Sequence, residues 1–438
     1  MALLVAKFGG SSLADANQFR KVKEIVMANP DRRYVVPSAP GKRFADDIKV
    51  TDMLYDCYEL ASEGLDFYES FDKIQGRFNG IIKDLGLDLD LSKEFSKIRS
   101  AFENAAGRDY AASRGEYLSG IILAKYLGYD FVDAAKCVRF NENGSFNAEF
   151  TFEKTAEHLS HHERAVIPGF YGKMPNDTIK TFSRGGSDIT GSLVARGVGA
   201  DLYENWTDVD GFLVADPRIV ENPSPIKTIT YRELRELSYM GATVLHEDAI
   251  FPVRQSGIPI NIRNTNAPQN AGTMIVKDVT AEDETTHVTG IAGKKGFSII
   301  SIEKAMMNQE LGFGRKVLGV IEKFGMSFEN LPSGIDTMSV VLETKQINGR
   351  ENELIEAIKT ETNADSVAIE DKLAIIAVVG RGMIKACGTA AKVFAAIAKE
   401  NINIRLMDQG SSELNIIIGV DESAFETALK SIYGEFFN

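Results

Sequence analysis

At 438 residues the chain is too long for one hydrophobic core, so two or three domains are expected. Its 44% hydrophobic and 25% charged content is ordinary for a soluble globular protein, and the net charge of −13 argues against a nucleic-acid or anionic-membrane partner. That charge leaves room for a phosphorylated ligand held in one local basic pocket. The three cysteines, Cys57, Cys137 and Cys387, form no C-x-x-C pair, which excludes a disulfide framework and fits a reducing compartment. No apolar run approaches the ~20 residues that span a bilayer, and no basic flank with a cleavage site precedes the first apolar run. A cytoplasmic protein is predicted.

The first two-thirds alternate between strand and helix signals. Ala2-Leu3-Leu4-Val5-Ala6 reads as a buried strand, and 13–22 as a helix. Between them lies Lys7-Phe8-Gly9-Gly10-Ser11-Ser12. Glycines let the backbone approach an anion closely, a helix start adds aligned N–H donors, and Lys7 adds a mobile positive charge. The Lys precedes the glycines, so this is not a Walker A loop, and an ordinary βα turn stays open as the alternative. Tyr34-Val35-Val36 is a short strand ending at Pro37. The apolar rhythm of Met53, Leu54, Cys57, Leu60 and Ala61 predicts a helix over 51–64. Residues 70–127 read as mostly helical. Within them Arg114-Gly115-Glu116 puts a destabilising Gly beside a Glu, which invites a functional reason; a solvated Glu is the plainer one.

Ala165-Val166-Ile167-Pro168-Gly169-Phe170 is a strand running into a turn, and 186–196 a helix with Gly197 placed as its cap. Ser183-Arg184-Gly185-Gly186-Ser187-Asp188 stands at that helix's start. Ser187 or Asp188 suits an N-cap, while Arg184 offers a planar fork for a carboxylate or phosphate. Leu202 to Trp206 is a strand leading into Thr207-Asp208-Val209-Asp210-Gly211 and Ala215-Asp216-Pro217-Arg218. Ligands of open α/β sheets gather at such strand ends, although Asp-Gly and Asp-Pro are also common turn pairs. Residues 259–263 are another strand. The pattern is that of an α/β domain with a largely parallel sheet.

An acidic, aperiodic stretch at 279–286 marks a boundary. Beyond it come a strand (297–302), a helix (315–324) and a strand (339–342). The order then recurs as strand (374–379), helix (388–400) and strand (414–420). Both helices end in matching phrases, Lys323-Phe324-Gly325-Met326 and Lys399-Glu400-Asn401-Ile402. The reading is a duplicated module of roughly 70 residues, too long for a solenoid repeat. His158, His161 and His162 lack an H-E-x-x-H pattern, Gly312-Phe313-Gly314 lacks the third glycine of a dinucleotide loop, and no G-x-S-x-G occurs.

Together, 7–12, 114–116, 182–188, 206–218 and the duplicated tail resemble aspartokinase along nearly the whole chain. The resemblance implies an α/β amino-acid-kinase domain with a mostly parallel central sheet over 1–282. It implies two α+β, ferredoxin-like ACT modules over 283–372 and 373–438 that can share strands. It implies transfer of the γ-phosphoryl of ATP, with Mg²⁺, to the side-chain carboxylate of L-aspartate. That is the first step of a pathway to lysine, threonine and methionine, with feedback by lysine or alternatively threonine. A homodimer or tetramer is implied, without nucleic-acid or membrane partners.

Residue by residue, the resemblance implies that Lys7 and Asp188 are catalytic. Gly9, Gly10 and Ser11 match the phosphate cradle, and Thr207, Asp208, Leu213 and Arg218 match nucleotide-contacting positions. Ser38, Ala39, Thr51, Glu116, Arg184 and Ser187 match the aspartate pocket, with Glu116 on the ammonium and Arg184 on a carboxylate. Met306, Glu329, Ser333 and Asp336 fall loosely in the effector region, and no residue is expected to ligate a metal by itself. The chain departs from the family at Thr243, where a phosphate-contacting Lys is usual, at Leu213, where some members have Tyr, and in a longer loop at 40–49. Lys42, Arg43 or Lys49 in that loop is the expected source of the missing charge. Two competing readings are a kinase of the same fold acting on another small carboxylate or carbamate, and a non-catalytic amino-acid sensor.

Overall fold

The computed structural model describes residues 2–183, 185–242, 247–279 and 287–437. Leu4-Val5-Ala6-Lys7-Phe8 forms β1 (Leu4–Phe8), buried throughout. The expected helix after it is delayed. Gly10–Leu13 close a 3-10 turn, and α1 (Ala16–Met27) starts only where Asp15 caps it by accepting from Gln18 N at 2.9 Å. Then follow β2 (Arg32–Pro37) and α2 (Val50–Ser62). The helical block at 70–127 resolves into α3 (Tyr68–Asp84), α4 (Ser92–Glu103) and α5 (Arg108–Leu127), with left-handed Gly86 in the first break.

Next come β3 (Asp130–Phe131), α6 (Ala134–Cys137), α7 (Ala148–Leu159) and β4 (Ala165–Val166), then the hairpin β5 (Tyr171–Lys173) and β6 (Ile179–Thr181). α8 (Gly186–Gly197), β7 (Leu202–Thr207), β8 (Thr228–Thr230), α9 (Tyr231–Tyr239), α10 (Glu247–Ser256), β9 (Ile260–Asn264) and β10 (Thr273–Val276) complete this part. Gly197 is not the cap of α8: it lies inside the helix, and Gly199 takes the left-handed turn at φ 64°.

The described residues form two compact units. One comprises those of Met1–Phe212, Lys227–Tyr231 and Val244–Val279. Its sheet has the order β3-β4-β2-β1-β7-β9-β10-β8, parallel except between β9 and β10. After β1 the chain passes to β2 on one side and returns to β7 on the other. The carboxyl end of β1 is therefore a topological switch point, where an open sheet parts to admit a ligand. Alternation along β1 sends Ala6 and Phe8 into the core built on Phe19, Phe71, Phe78 and Trp206. Lys7 faces the other layer, where α8 packs on β1, β2 and β7.

The second unit comprises the described residues of Leu213–Ile226, Arg232–Thr243 and Thr280–Asn438. Its tail contains β11 (Gly290–Glu303), α11 (Phe313–Lys323), β12 (Thr337–Glu343), α12 (Thr344–Ile347), α13 (Glu351–Thr362), β13 (Ser366–Val379), α14 (Thr389–Lys399), β14 (Leu406–Asp408), β15 (Asn415–Asp421) and α15 (Phe425–Phe437). The sheet order β12-β11-β13-β15-β14 is antiparallel throughout. β11 and β13 are each 14 residues long and pair along their length, so both serve the two halves, and β13 runs across residue 372. The matching helix ends have a physical basis. Gly325 and Asn401 are both left-handed, at φ 70° and 56°, and the next residue's N–H reaches back to Ile321 O and Ile397 O.

Candidate active site

Three strand ends meet at the switch point. Lys7 is in register with Val36 of β2 and with Asn205 of β7. Its ammonium forms an ion pair with Asp188 Oδ1 in the first turn of α8 and donates to Asn205 Oδ1 at 3.3 Å. Asn205 Nδ2 in turn donates to Asp188 Oδ1 at 2.8 Å. Lys7 is only 6% exposed, yet its charge is compensated, as a buried cation requires. A Cβ placed on Gly9 would lie 3.5 Å from Lys7 Nζ, so the ammonium stands over the glycine turn.

That turn is tight. Gly9 N donates to Trp206 O at 2.9 Å and Gly41 N to Gly10 O at 2.8 Å. A Cβ on Gly41 would come within 2.6 Å of Gly10 C, so two backbones meet there without side chains. The loop carrying Gly41 is fastened from below. Arg77 of α3 donates to the carbonyls of Gly41 and Ile48 and pairs with Asp47 at 3.1 Å. Arg43 holds the same carboxylate through Nε at 2.8 Å and Nη2 at 2.9 Å. These contacts hold the Asp47 carboxyl far below the usual range, the Arg43 hydrogen bond being the largest cause. Arg43 is thus paired with Asp47 through two of its nitrogens. Lys42 Nζ donates to Ala45 O at 3.1 Å, and Lys49 stands exposed before α2.

The second cluster is centred on Glu116. α5 is buried on nearly every side where it passes the sheet. A Cβ on Gly115 would lie 2.7 Å from Ala39 Cβ, so the glycine lets α5 close against the loop after β2. This brings the Glu116 carboxylate to Ser38 and Ala39: Ser38 Oγ donates to Oε1 at 3.5 Å, and Ala39 contributes a backbone N–H. Oε2 is buried without a partner. Burial pushes the Glu116 carboxyl up to about 8, against the smaller opposing pull of those hydrogen bonds. Ser187 Oγ donates to Ser38 Oγ at 3.2 Å. Ser187 is therefore not the N-cap of α8, a position held by left-handed Gly185. Thr51 is half-buried beside Val50, whose side chain lies 3.5 Å from the Gly115 Cβ position. Arg114 turns away into a cage of Tyr110, Tyr117 and Tyr171, with ring centroids at 4.5, 4.5 and 5.3 Å.

The structure thus brings Lys7, Gly9, Gly10, Ser38, Ala39, Glu116, Ser187 and Asp188 to one end of one sheet. Thr207 and Asp208 close β7 there, with Thr207 Oγ1 donating to Asp208 Oδ1 at 3.2 Å. Ser11 lies in the 3-10 turn. Leu213 and Arg218 belong to the second unit, and Arg218 is paired with Asp216 at 2.6 Å. Arg184 and Thr243 lie outside the described residues. Of the effector candidates, Asp336 Oδ1 accepts from Met306 N at 2.8 Å, Ser333 Oγ donates to Leu331 O, and Glu329 bonds the Tyr239 hydroxyl. His162 is bound to Asp130 at 2.7 Å. The arrangement joins an anion-accepting glycine turn under a fixed ammonium to a buried carboxylate lacking a cation, which suits a small zwitterion meeting a phosphate.

Residues 2–264 match the Amino acid kinase family and residues 376–436 an ACT domain. Aspartokinase 3 of Bacillus subtilis (strain 168) is 39% identical over 99% of this chain and 98% of its own. The chain belongs to the aspartokinases. Aspartate kinase activity, with ATP as the phosphoryl donor, follows from that membership. Among solved structures, the Clostridium acetobutylicum aspartate kinase, an allosteric enzyme, covers 100% of both chains with a TM-score of 0.91 and 53% identity. Aspartokinase III of E. coli, solved with aspartate and ADP and again with lysine and aspartate, also covers 100% of both chains, with a TM-score of 0.73 and 25% identity.

Within this aspartokinase, sequence reasoning missed Asn205. The available signal was a polar residue between Glu204 and Trp206 in a strand buried on both faces. Among the described residues no helix is long and apolar enough to cross a membrane, and no group of three or more His, Cys, Asp or Glu could hold a metal ion.

Proposed function

We propose that Lys7 receives the transferring γ-phosphoryl of ATP while Glu116 receives the ammonium of L-aspartate, giving 4-phospho-L-aspartate. The observation that carries this reading is the buried, unpartnered Oε2 of Glu116 beside the glycine turn. A carboxylate left without a cation in a dry site is costly, and a substrate ammonium supplies one. Ser38, Ala39, Thr51 and Ser187 line the rest of that pocket, and Arg184 grips a substrate carboxylate.

The acceptor carboxylate is an anion at neutral pH, so no strong general base is needed. The difficulty is bringing two anions together. The backbone N–H groups of Gly10 and Ser11 take the phosphates, that of Gly9 being held by Trp206 O, with Thr207 and Asp208 on the nucleotide. Lys7 neutralises charge as it develops. Mg²⁺ binds chiefly to substrate phosphates and keeps several waters, so it needs no protein cage. When bound, the ion neutralises charge on the phosphate oxygens.

The same reading makes this the first step toward lysine, threonine and methionine in the cytoplasm, carried out by a homodimer or tetramer. Catalytic residues 1–282 are followed by regulatory modules over 283–372 and 373–438. Lysine, with threonine as the alternative, acts through the region of Met306, Glu329, Ser333 and Asp336; support comes from the lysine-bound state of the E. coli relative. A coupled assay of ADP release with L-aspartate, ATP and Mg²⁺ tests the activity, and no turnover at millimolar substrate would overturn it. Calorimetry should show lysine binding; threonine binding without lysine would reverse the choice of effector.

A further inference from the structure

We infer that Asn205 is a positioning residue for phosphoryl transfer, aiming the Lys7 ammonium at the glycine turn by bridging it to Asp188. The inference rests on the proposed role of Lys7. Asn205 is 3% exposed and lies directly beside Lys7 in the sheet, on the face covered by α8. Its amide has one orientation that satisfies both neighbours. An ammonium only donates and a carboxylate only accepts, so the amide oxygen must face Lys7 and the amide nitrogen Asp188. The distances of 3.3 and 2.8 Å fit that assignment.

The Lys7 ammonium has three N–H donors. Asp188 takes one and Asn205 takes another, which leaves the third for the turn at Gly9. Asp188 also accepts a hydrogen bond from Asn205 Nδ2, so its carboxylate is held and cannot draw Lys7 deeper. The backbone carbonyl of Asp188 is fastened from the same strand by the Tyr203 hydroxyl at 3.1 Å. β7 thus anchors the Lys7 partner twice, through side chains two residues apart. A polar residue of mere structural convenience would not need both a donor and an acceptor matched to two opposite charges.

The test compares Asn205→Ala and Asn205→Asp with wild type and Lys7→Ala in the ADP-release assay from pH 6 to pH 9. Asn205→Ala should lower kcat about tenfold to a hundredfold with both KM values within about threefold, because the loss is one of aim rather than of binding. Asn205→Asp is nearly isosteric, so it stands even where the Ala variant folds poorly. The charged groups brought to this side chain are Lys7 from β1 and Asp188 from α8; its register neighbour on β9 is Ile262. When ionised, the new carboxyl repels Asp188 and captures Lys7, so Asn205→Asp should lower kcat as far as Asn205→Ala, with both KM values again within about threefold. Wild-type kcat in either variant would overturn the inference, while an inactive Lys7→Ala leaves the proposed function standing. An active Lys7→Ala would overturn both.

Discussion

Glu116 makes aspartate binding a proton-releasing reaction. In the free enzyme burial holds its carboxyl at about 8, so at pH 7 roughly nine molecules in ten carry the proton. A substrate ammonium at Oε2 favours the carboxylate and drives that proton off. Each mole of aspartate bound at pH 7 should therefore release about 0.9 mole of protons through this group. Removing the proton beforehand costs about 1.4 kcal/mol at pH 7 and about 2.7 kcal/mol at pH 6. Affinity should then rise about tenfold per pH unit between 6 and 7 and level off above 8. Titration calorimetry in two buffers of different ionisation enthalpy counts the protons directly. Glu116→Gln should bind more weakly and release none through this site. PH-independent affinity with no proton release in the wild-type enzyme would refute the reasoning.

The same group should show itself in stability, with the opposite benefit. Its folded-state pKa lies above the unfolded value, so unfolding releases a proton between about 4.5 and 8, and stability falls as pH rises through that window. Glu116→Gln removes this penalty and should stabilise the protein at pH 7 by about 3 kcal/mol, seen as a denaturation midpoint that exceeds wild type at pH 7 but not at pH 4. Lys7→Ala should lower kcat by about a thousandfold or more while aspartate Kd stays within about threefold, and near-normal turnover would remove Lys7 from the chemistry. Gly115→Ala, although a better helix former, should destabilise by about 1–3 kcal/mol and raise KM for aspartate, because its Cβ would stand 2.7 Å from that of Ala39. A more stable Gly115→Ala variant with unchanged KM would show that the close approach does not shape the pocket.

Much of the site was legible in the chain because its parts are local. The apolar run before Lys7, the glycines after it and the glycine inside α5 each state a backbone requirement in adjacent residues, and the structure answers each. The features that were not legible depend on distant partners. Ser187 looked like a helix cap, but left-handed Gly185 caps α8 and frees the Ser187 hydroxyl to reach Ser38. Asn205 acquires its role only when β1 and β7, almost 200 residues apart in sequence, come into register. The short hairpin of β5 and β6 carries too few residues for a periodic signal. Leu213–Ile226 and Arg232–Thr243 read as continuous with the first unit, yet their packing is with the second, and no local pattern records which core a segment joins.

The two 14-residue strands of the second unit also bear on how such a tail can be inherited. A strand used by two modules at once cannot be divided between two genes. A recombination break after residue 372 would leave one product without the end of β13 and with half of β11 unpaired, and the other with only that end of β13 and no β11 to pair with it. Halves that share two strands are therefore bound to be kept, lost or exchanged together.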